Sequence, residues 1–251
     1  MTTTTVTRST TSDDCGEDSR IPLHRNPLRL AFSASPWRSA WYLAGHLVAG
    51  TVLGTAAVLA VSAAATAAAT VAGILLLRPA AGAVRGCADA ERRRLRVIWP
   101  EPVRGAYATD GGPGVVARAL GRWRDPVLWR DLGYLAALWL PLALLDVAVL
   151  SVWAALLLGV TLPFWYWLPR GTELAGYVHG RPVHGVALGY FPHGPAGPGA
   201  IGLYADTLPR AMLAAVIFAG IWLVFNYLLV QAARAHAGLA RAVLGPARPW
   251  A

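Results

Sequence analysis

The sequence predicts an all-α integral membrane protein with four transmembrane helices and both termini in the cytoplasm. Three observations lead to this fold class. Hydrophobic residues make up 56% of the 251 residues and charged residues only 14%, whereas a soluble domain carries about 25% charged residues. Long uncharged segments recur along the chain. Arginines are concentrated beside these segments, as is typical of the cytoplasmic side of a membrane protein.

The basic residues indicate topology. All 22 residues counted as Lys or Arg are arginines, and the net charge is +9. An arginine excess can also indicate nucleic-acid binding, but here the arginines adjoin apolar segments, so no nucleic acid is expected as a partner. The two cysteines, Cys15 and Cys87, fall in segments assigned to the cytoplasm, where a disulfide is not expected.

The N-terminal segment is expected to be a disordered cytoplasmic tail over residues 1–37, because it is rich in Thr and Ser and lacks apolar periodicity before Leu28. The folded membrane domain is predicted over residues 38–247. Residues 248–251 form a short tail.

The first uncharged segment, residues 39–77, is too long for one crossing. As a single helix at about 1.5 Å per residue it would extend nearly twice the thickness of a hydrocarbon core of about 30 Å. Arginines flank it on both sides, which places both ends in the cytoplasm. We therefore predict two helices at about 40–60 and 64–84, with a turn near residues 62–66. A basic cytoplasmic loop follows over residues 85–131, and the stretch from Val115 to Trp123 has the pattern of an amphipathic helix on the inner leaflet.

The third helix is predicted at about 132–158 and contains Asp146. A carboxylate at membrane depth is costly, so it should be protonated, paired or facing a wet cavity. Asp146 is therefore the candidate functional residue inside the membrane. The alternative is a neutral, hydrogen-bonded aspartate that the helix merely tolerates.

The second polar segment, residues 170–209, is rich in Gly and Pro and poor in arginine, which predicts an extracytoplasmic loop. Alternating residues from Val186 onward indicate a short β-hairpin within it. His179, His184 and His193 all fall in this loop, but their spacing matches no zinc pattern. They are only secondary metal candidates, and no metal or cofactor is predicted. A fourth helix at about 212–233 returns the chain to the cytoplasm.

The sequence lacks several common catalytic motifs. It contains no Gly-rich phosphate loop, no Gly-x-Ser-x-Gly elbow, no His-Glu-x-x-His and no Cys-x-x-Cys. We therefore do not expect an enzyme.

Two motifs flank the third helix and are expected at the membrane interfaces. They comprise a charged collar, Trp123, Arg124, Asp125, Trp129, Arg130 and Asp131, and an aromatic plug, Trp165, Tyr166 and Trp167. Together with Glu91-Arg-Arg-Arg94-Leu and a terminal Leu-Gly-Pro, they resemble the sensor domain at the N-terminus of many actinobacterial histidine kinases. The resemblance covers residues 38–247 and implies a four-helix membrane module. No phosphoacceptor or nucleotide-binding motif is present, so kinase activity is not expected.

This resemblance implies a signal-transduction module of a two-component system in the plasma membrane. It would relay an envelope or external cue to a separate partner, a histidine kinase or a transcriptional regulator. The bilayer is the expected environment, and a homodimer is a further option. The alternative functions are a transport-associated membrane subunit and a structural membrane bundle.

Overall fold

The computed structural model is mostly helical and describes residues 21–22, 26–67, 71–108, 114–168, 177–178, 181–182, 185–190, 193 and 198–246. The helices of this part are α1 Pro27–Ala31, α2 Ala34–Ala67, α3 Val71–Arg94, α4 Val115–Trp123, α5 Pro126–Gly133, α6 Trp139–Val160 and α7 Leu208–Leu244. A π-helical segment, Tyr134–Leu138, joins α5 to α6 without a break. Short 3-10 turns lie at Leu95–Val97 and Leu162–Phe164.

Three helical segments in the described residues are long and apolar enough to cross a membrane: Ala34–Ala67, Pro126–Val160 and Leu208–Leu244. Most of each apolar window is not buried inside the protein, which suits side chains that face lipid. These three segments support the prediction of a membrane protein. The second predicted crossing, at about 64–84, coincides with α3, which is not among these three segments and contains Arg78, Pro79 and Arg85.

The N-terminal segment differs from the expectation of a disordered tail up to residue 37, because helices already begin at Pro27. The Asn26 side chain accepts a hydrogen bond from the Leu28 backbone N–H at 3.0 Å, and Pro27 stands at the first helical position, where its fixed φ suits a helix. Leu30 is fully buried. Residues 1–20 lie outside the described residues.

The first hairpin also differs in its boundaries. The predicted turn near residues 62–66 is helical, since α2 ends at Ala67 and α3 begins at Val71. Alanine dominates this stretch, and alanine has the highest helix propensity. The two helices are antiparallel, as the end of α3 meets the beginning of α2: the Arg94 guanidinium donates to the Tyr42 carbonyl at 2.8 Å.

The last helix is longer than predicted, because α7 continues past residue 233 to Leu244. The added segment consists mainly of Ala, Arg and Leu, which are strong helix formers. Gly245 and Pro246 then follow, a combination typical of a helix end. This extension places His236 inside a helix rather than in a tail.

Between α6 and α7 the chain forms two small antiparallel sheets. They pair β1 Tyr177–Val178 with β2 Arg181–Pro182, and β3 Val186–Tyr190 with β4 Ile201–Ala205. In the second sheet Gly189 lies opposite Gly202. Gly189 has a φ of +142°, and a Cβ there would contact the Ile201 carbonyl, so this close approach requires glycine.

The chain divides into two compact units. The first comprises Met1–Val147 and Val230–Ala251, and the second comprises Ala148–Leu229. In the second unit, a small core of Leu162, Ala205, Ala211 and Ala214 is covered by Trp165, Tyr166, Val186, Leu203 and Phe218. The Trp153 indole also donates to the Asn226 side-chain oxygen at 3.0 Å.

Candidate functional site

Three ionisable side chains from three helices meet in the first unit. His46 on α2 lies with its Nδ1 at 2.7 Å from Asp146 Oδ2, and His236 on α7 lies with its Nδ1 at 2.9 Å from Asp146 Oδ1. Asp146 itself belongs to α6. We call these three residues the His–Asp–His cluster. Each carboxylate oxygen therefore has one imidazole partner.

The cluster is almost completely removed from solvent, since each of its three residues is 1% exposed. An unpaired carboxylate in such surroundings would carry a large desolvation cost. Two ring N–H donors offset part of that cost because they hydrogen-bond the charge directly. The structure thus gives Asp146 the paired environment that was one of the options for an aspartate at membrane depth.

The local sequence of α2 makes room for this arrangement. Gly50 lies one turn after His46, and a Cβ at Gly50 would lie 2.9 Å from His46 Nε2 and 2.8 Å from Trp139 Cδ1. Both distances are too short for a real side chain. A glycine here lets the His46 ring and the Trp139 ring pack against the same patch of α2.

The two imidazole rings of the cluster also touch each other. Their centroids are 4.3 Å apart in an edge-to-face arrangement, and the Tyr42 ring meets His236 at 5.5 Å in the same manner. His236 Nε2 is buried and has no hydrogen-bond partner in the described part of the chain. The polar capacity of this ring is therefore not fully satisfied by the protein groups around it.

The cluster has a donor set that metal ions use. One ligand atom from each of His46, Asp146 and His236 can be chosen so that all three lie within 4.8 Å of one another. Two imidazole nitrogens and a carboxylate oxygen are ligands of Zn²⁺ and of other first-row divalent ions. Among the described residues this is the group that could hold such an ion.

A second buried polar group lies where α3, α5 and the end of α7 meet. Arg92 donates through one guanidinium nitrogen to both carboxylate oxygens of Asp131, at 2.7 and 2.9 Å. It also donates to Asp89 and to the Tyr107 hydroxyl, each at 2.7 Å, and through Nε to the Leu244 carbonyl at 2.9 Å. We call these residues the Arg92 cluster. It joins three separate parts of the sequence through one guanidinium.

Tyr107 both donates and accepts a hydrogen bond in the Arg92 cluster. Its hydroxyl donates to Asp131 at 2.6 Å and accepts from Arg92. Burial raises the pKa of Tyr107 well above its usual value, and its hydrogen bond to Asp131 raises it further. The phenol therefore stays protonated and keeps its proton toward Asp131. Burial lowers the pKa of Arg92, but the contacts with Tyr107 and Asp131 outweigh this and raise it overall.

The predicted collar is partly buried rather than wholly interfacial. Asp125 and Asp131 are 3% and 0% exposed, because both face arginines of α3. Asp125 accepts from Arg85 at 3.2 Å and caps α5 by accepting from the Val127 backbone N–H. Ion pairing with α3 thus draws both carboxylates inward.

Three of the other collar residues donate hydrogen bonds to backbone carbonyls in different parts of the fold. Arg130 donates to the Gly245 carbonyl, just after α7. The Trp123 indole donates to the Leu77 carbonyl at 2.9 Å, and the exposed Trp129 indole donates to the Trp123 carbonyl at 2.8 Å. Arg124 is exposed. The two tryptophan rings also meet edge to face, with centroids 5.7 Å apart.

The plug residues lie just after α6. Trp165 donates to the Leu158 carbonyl and to the Thr161 hydroxyl, and Trp167 is half exposed. Of the histidines in the predicted external loop, His193 is exposed, and His179 and His184 lie outside the described residues. The interpretation of the three loop histidines as secondary metal candidates therefore stays a prediction.

Sequence reasoning missed the partners of Asp146. The predicted bounds place His46 in the first helix and His236 beyond the end of the fourth helix, and neither position indicates a partner for Asp146. One signal was available: a lone carboxylate at membrane depth needs a partner, and few other ionisable residues lie in the apolar segments. The pairing itself requires knowledge of which helix faces meet.

A basic cleft of about 390 Å³ adjoins the Arg92 cluster. Arg93, Arg96 and Arg104 line it together with Arg92. These three outer arginines are exposed, and within the described ranges no acidic group pairs with them. Asp89 also lines the cleft and pairs with Arg92, so the uncompensated positive charge belongs to the three outer arginines.

Comparison with known proteins supports the resemblance that the motifs indicate. The family described as "Putative sensor" matches residues 42–244. No curated protein and no solved structure matches the chain. The matched range contains the His–Asp–His cluster and most of the charged collar's contacts, so the site belongs to the family domain. The chain is a member of this sensor family.

Proposed function

We propose that this protein is a multi-pass plasma-membrane sensor of a two-component system that relays an envelope or external cue to a separate histidine kinase or transcriptional regulator. In this proposal α2, α3, the continuous helix 126–160 and α7 are the four crossings. Both termini and residues 85–131 lie in the cytoplasm, and residues 170–209 lie outside. No catalytic step is part of the proposal.

The observation that carries the proposal is the position of α7. This helix holds His236 of the His–Asp–His cluster, and it ends at the carbonyls of Leu244 and Gly245, which accept from Arg92 and Arg130. The distance along the helix from His236 to Leu244 is about 12 Å, at about 1.5 Å per residue. Helix α7 thus connects the buried His–Asp–His cluster to Arg92 and Arg130.

The relay follows from this connection. A cue that binds or breaks the His–Asp–His cluster changes how α7 packs against α2 and α6. The change reaches the carbonyl end of α7, where Arg92 and Arg130 hold it. Such a cue must have different affinities for two packings of the helices. The Arg92 cluster is suited to report the difference because its guanidinium makes bonds to α5 and α7 at the same time.

The proposed topology is supported by charge and by α4. The arginines at the end of α3 lie beside the beginning of α2, as in a hairpin that returns to its starting side. In α4, Val116 and Leu120 are 49% and 44% exposed, although the helix also carries arginines. An exposed apolar stripe with basic neighbours suits the inner leaflet.

The output surface is the basic cleft. Arg93, Arg96 and Arg104 offer positive charge without a partner in the described part of the chain, so the docking partner should present an acidic surface. Their neighbour Arg92 links the cleft to the end of α7. Movement of that end would therefore shift the position of the Arg92 guanidinium in the cleft that a partner contacts.

The experiment is site-specific photocrosslinking from position 96 in native membranes, with identification of the crosslinked protein. We expect a protein with a kinase or DNA-binding regulatory domain, and we expect Arg93→Glu to abolish the adduct. The exposed Arg124 provides the matched control, because Arg124→Glu makes the same charge change away from the cleft. Adducts with a transport ATPase would instead favour a transport-associated subunit. Equal adducts from all variants would refute the docking surface.

A further inference from the structure

We infer that His46, Asp146 and His236 form a binding site for one divalent transition-metal ion, with Zn²⁺ as the representative ligand. The site is assigned from the geometry of this chain alone. Its role as the sensed cue rests on the proposed function, whereas metal binding does not.

The geometry fits a small metal ion. The two nitrogen–oxygen distances in the cluster are 2.7 and 2.9 Å. Neighbouring ligands around a tetrahedral ion with metal–ligand distances of about 2.1 Å lie roughly 3.4 Å apart. Separation of each imidazole nitrogen from its carboxylate oxygen by roughly 0.5–0.7 Å would therefore admit an ion in place of the hydrogen-bonded protons. The ligands come from three helices, α2, α6 and α7, so they converge without belonging to one flexible loop.

The surroundings favour a ligand over a simple hydrogen-bonded triad. Gly50 packs directly against the His46 ring, since a Cβ there would lie 2.9 Å from His46 Nε2, and this contact orients the ring as a ligand. A divalent cation would also offset the negative charge of Asp146, which no arginine of the described chain contacts. Electrostatic stabilisation is strong at such depth because the dielectric is low.

The protein supplies three ligands, and a fourth position is left for water or another group. This coordination is typical of a zinc site with an open position, in contrast to closed structural sites with four protein ligands. Binding of the ion would tie α2, α6 and α7 together more strongly than two hydrogen bonds do. Metal occupancy would thereby fix the position of α7.

The test uses the full-length protein in lipid nanodiscs after removal of metals with a chelator. Co²⁺ is titrated first, because its visible absorption reports coordination by protein ligands, and Zn²⁺ is then used to displace it. We expect one ion per chain. Asp146→Asn, His46→Gln and His236→Gln should each weaken metal binding at least about 10-fold. Loss of a group that only orients a metal ligand already weakens binding by about 10–100-fold.

His193→Gln is the matched control, since it removes an exposed histidine and should leave affinity unchanged. Helical content by circular dichroism separates loss of a ligand from loss of folding. X-ray absorption of zinc bound to the unmutated protein gives an independent readout, with two imidazole groups expected. Failure to bind one ion, unchanged affinity in His236→Gln, or a spectrum without imidazole scattering would each overturn the site. The photocrosslinking result does not depend on any of these outcomes.

Discussion

His236 Nδ1 lies 2.9 Å from Asp146 Oδ1, and this bond ties α7 to α6 inside an apolar region. Asp146→Leu would leave the ring N–H groups of His46 and His236 buried without an acceptor. Each unpaired donor costs about 1–3 kcal/mol. We expect a marked fall in the free energy of unfolding, measured by denaturation in mixed detergent micelles.

The matched control for this prediction is the triple variant with leucine at positions 46, 146 and 236. It removes all polar groups of the cluster together, and replacing a buried ionic group by apolar residues is often neutral or stabilising. The triple variant should therefore regain much of the stability lost by Asp146→Leu while losing metal binding. A triple variant less stable than Asp146→Leu would contradict the pairing.

Gly50 gives the second prediction. Gly50→Ala places a Cβ within 3 Å of both His46 and Trp139, and overpacking of this kind typically costs about 1–3 kcal/mol. Gly45→Ala is the control in the same helix, because a Cβ there meets nothing within 4 Å. We expect lower thermal stability for Gly50→Ala only. Equal melting temperatures for the two variants would show that α2 and Trp139 do not pack as described.

The Arg92 cluster gives the third prediction through its two aspartates. Asp131 is fully buried, whereas the Asp89 side chain is 45% exposed, yet both bond Arg92. Asp131→Asn removes the buried countercharge, and breaking a buried pair costs about 3–5 kcal/mol. Asp89→Asn should cost less than about 1 kcal/mol, as is usual for exposed pairs. Comparison of the two unfolding free energies provides the check, and equal losses would argue against a buried Arg92 cluster.

The topology gives the fourth prediction, which concerns the crossing by α3. Reporter fusions at positions 110 and 251 should be active in the cytoplasm, and fusions at positions 69 and 190 should be active outside. Opposite locations for 69 and 110 would establish that α3 crosses the membrane. The same location for these two positions would leave three crossings and place one terminus outside.

Much of the architecture depends on local patterns and was therefore predictable. The segments around Asp146 and around Asn226 form helices that are long and apolar enough to cross a membrane, and length and composition decide whether a helix suits lipid. The amphipathic stretch from Val115 to Trp123 is a helix with the predicted bounds. The charged and aromatic motifs indicated the sensor family, which the family match confirms.

The sequence by itself determined which segments are apolar, where the arginines lie and which family the chain resembles, because these are properties of neighbouring residues. Only the tertiary structure decided that Asp146 meets His46 and His236, from which it is separated by 100 and 90 positions, and that Asp131 is buried against Arg92. Periodicity shows that a helix has faces, but it does not show which faces of distant helices pack together. That choice depends on the sum of contacts across the whole fold.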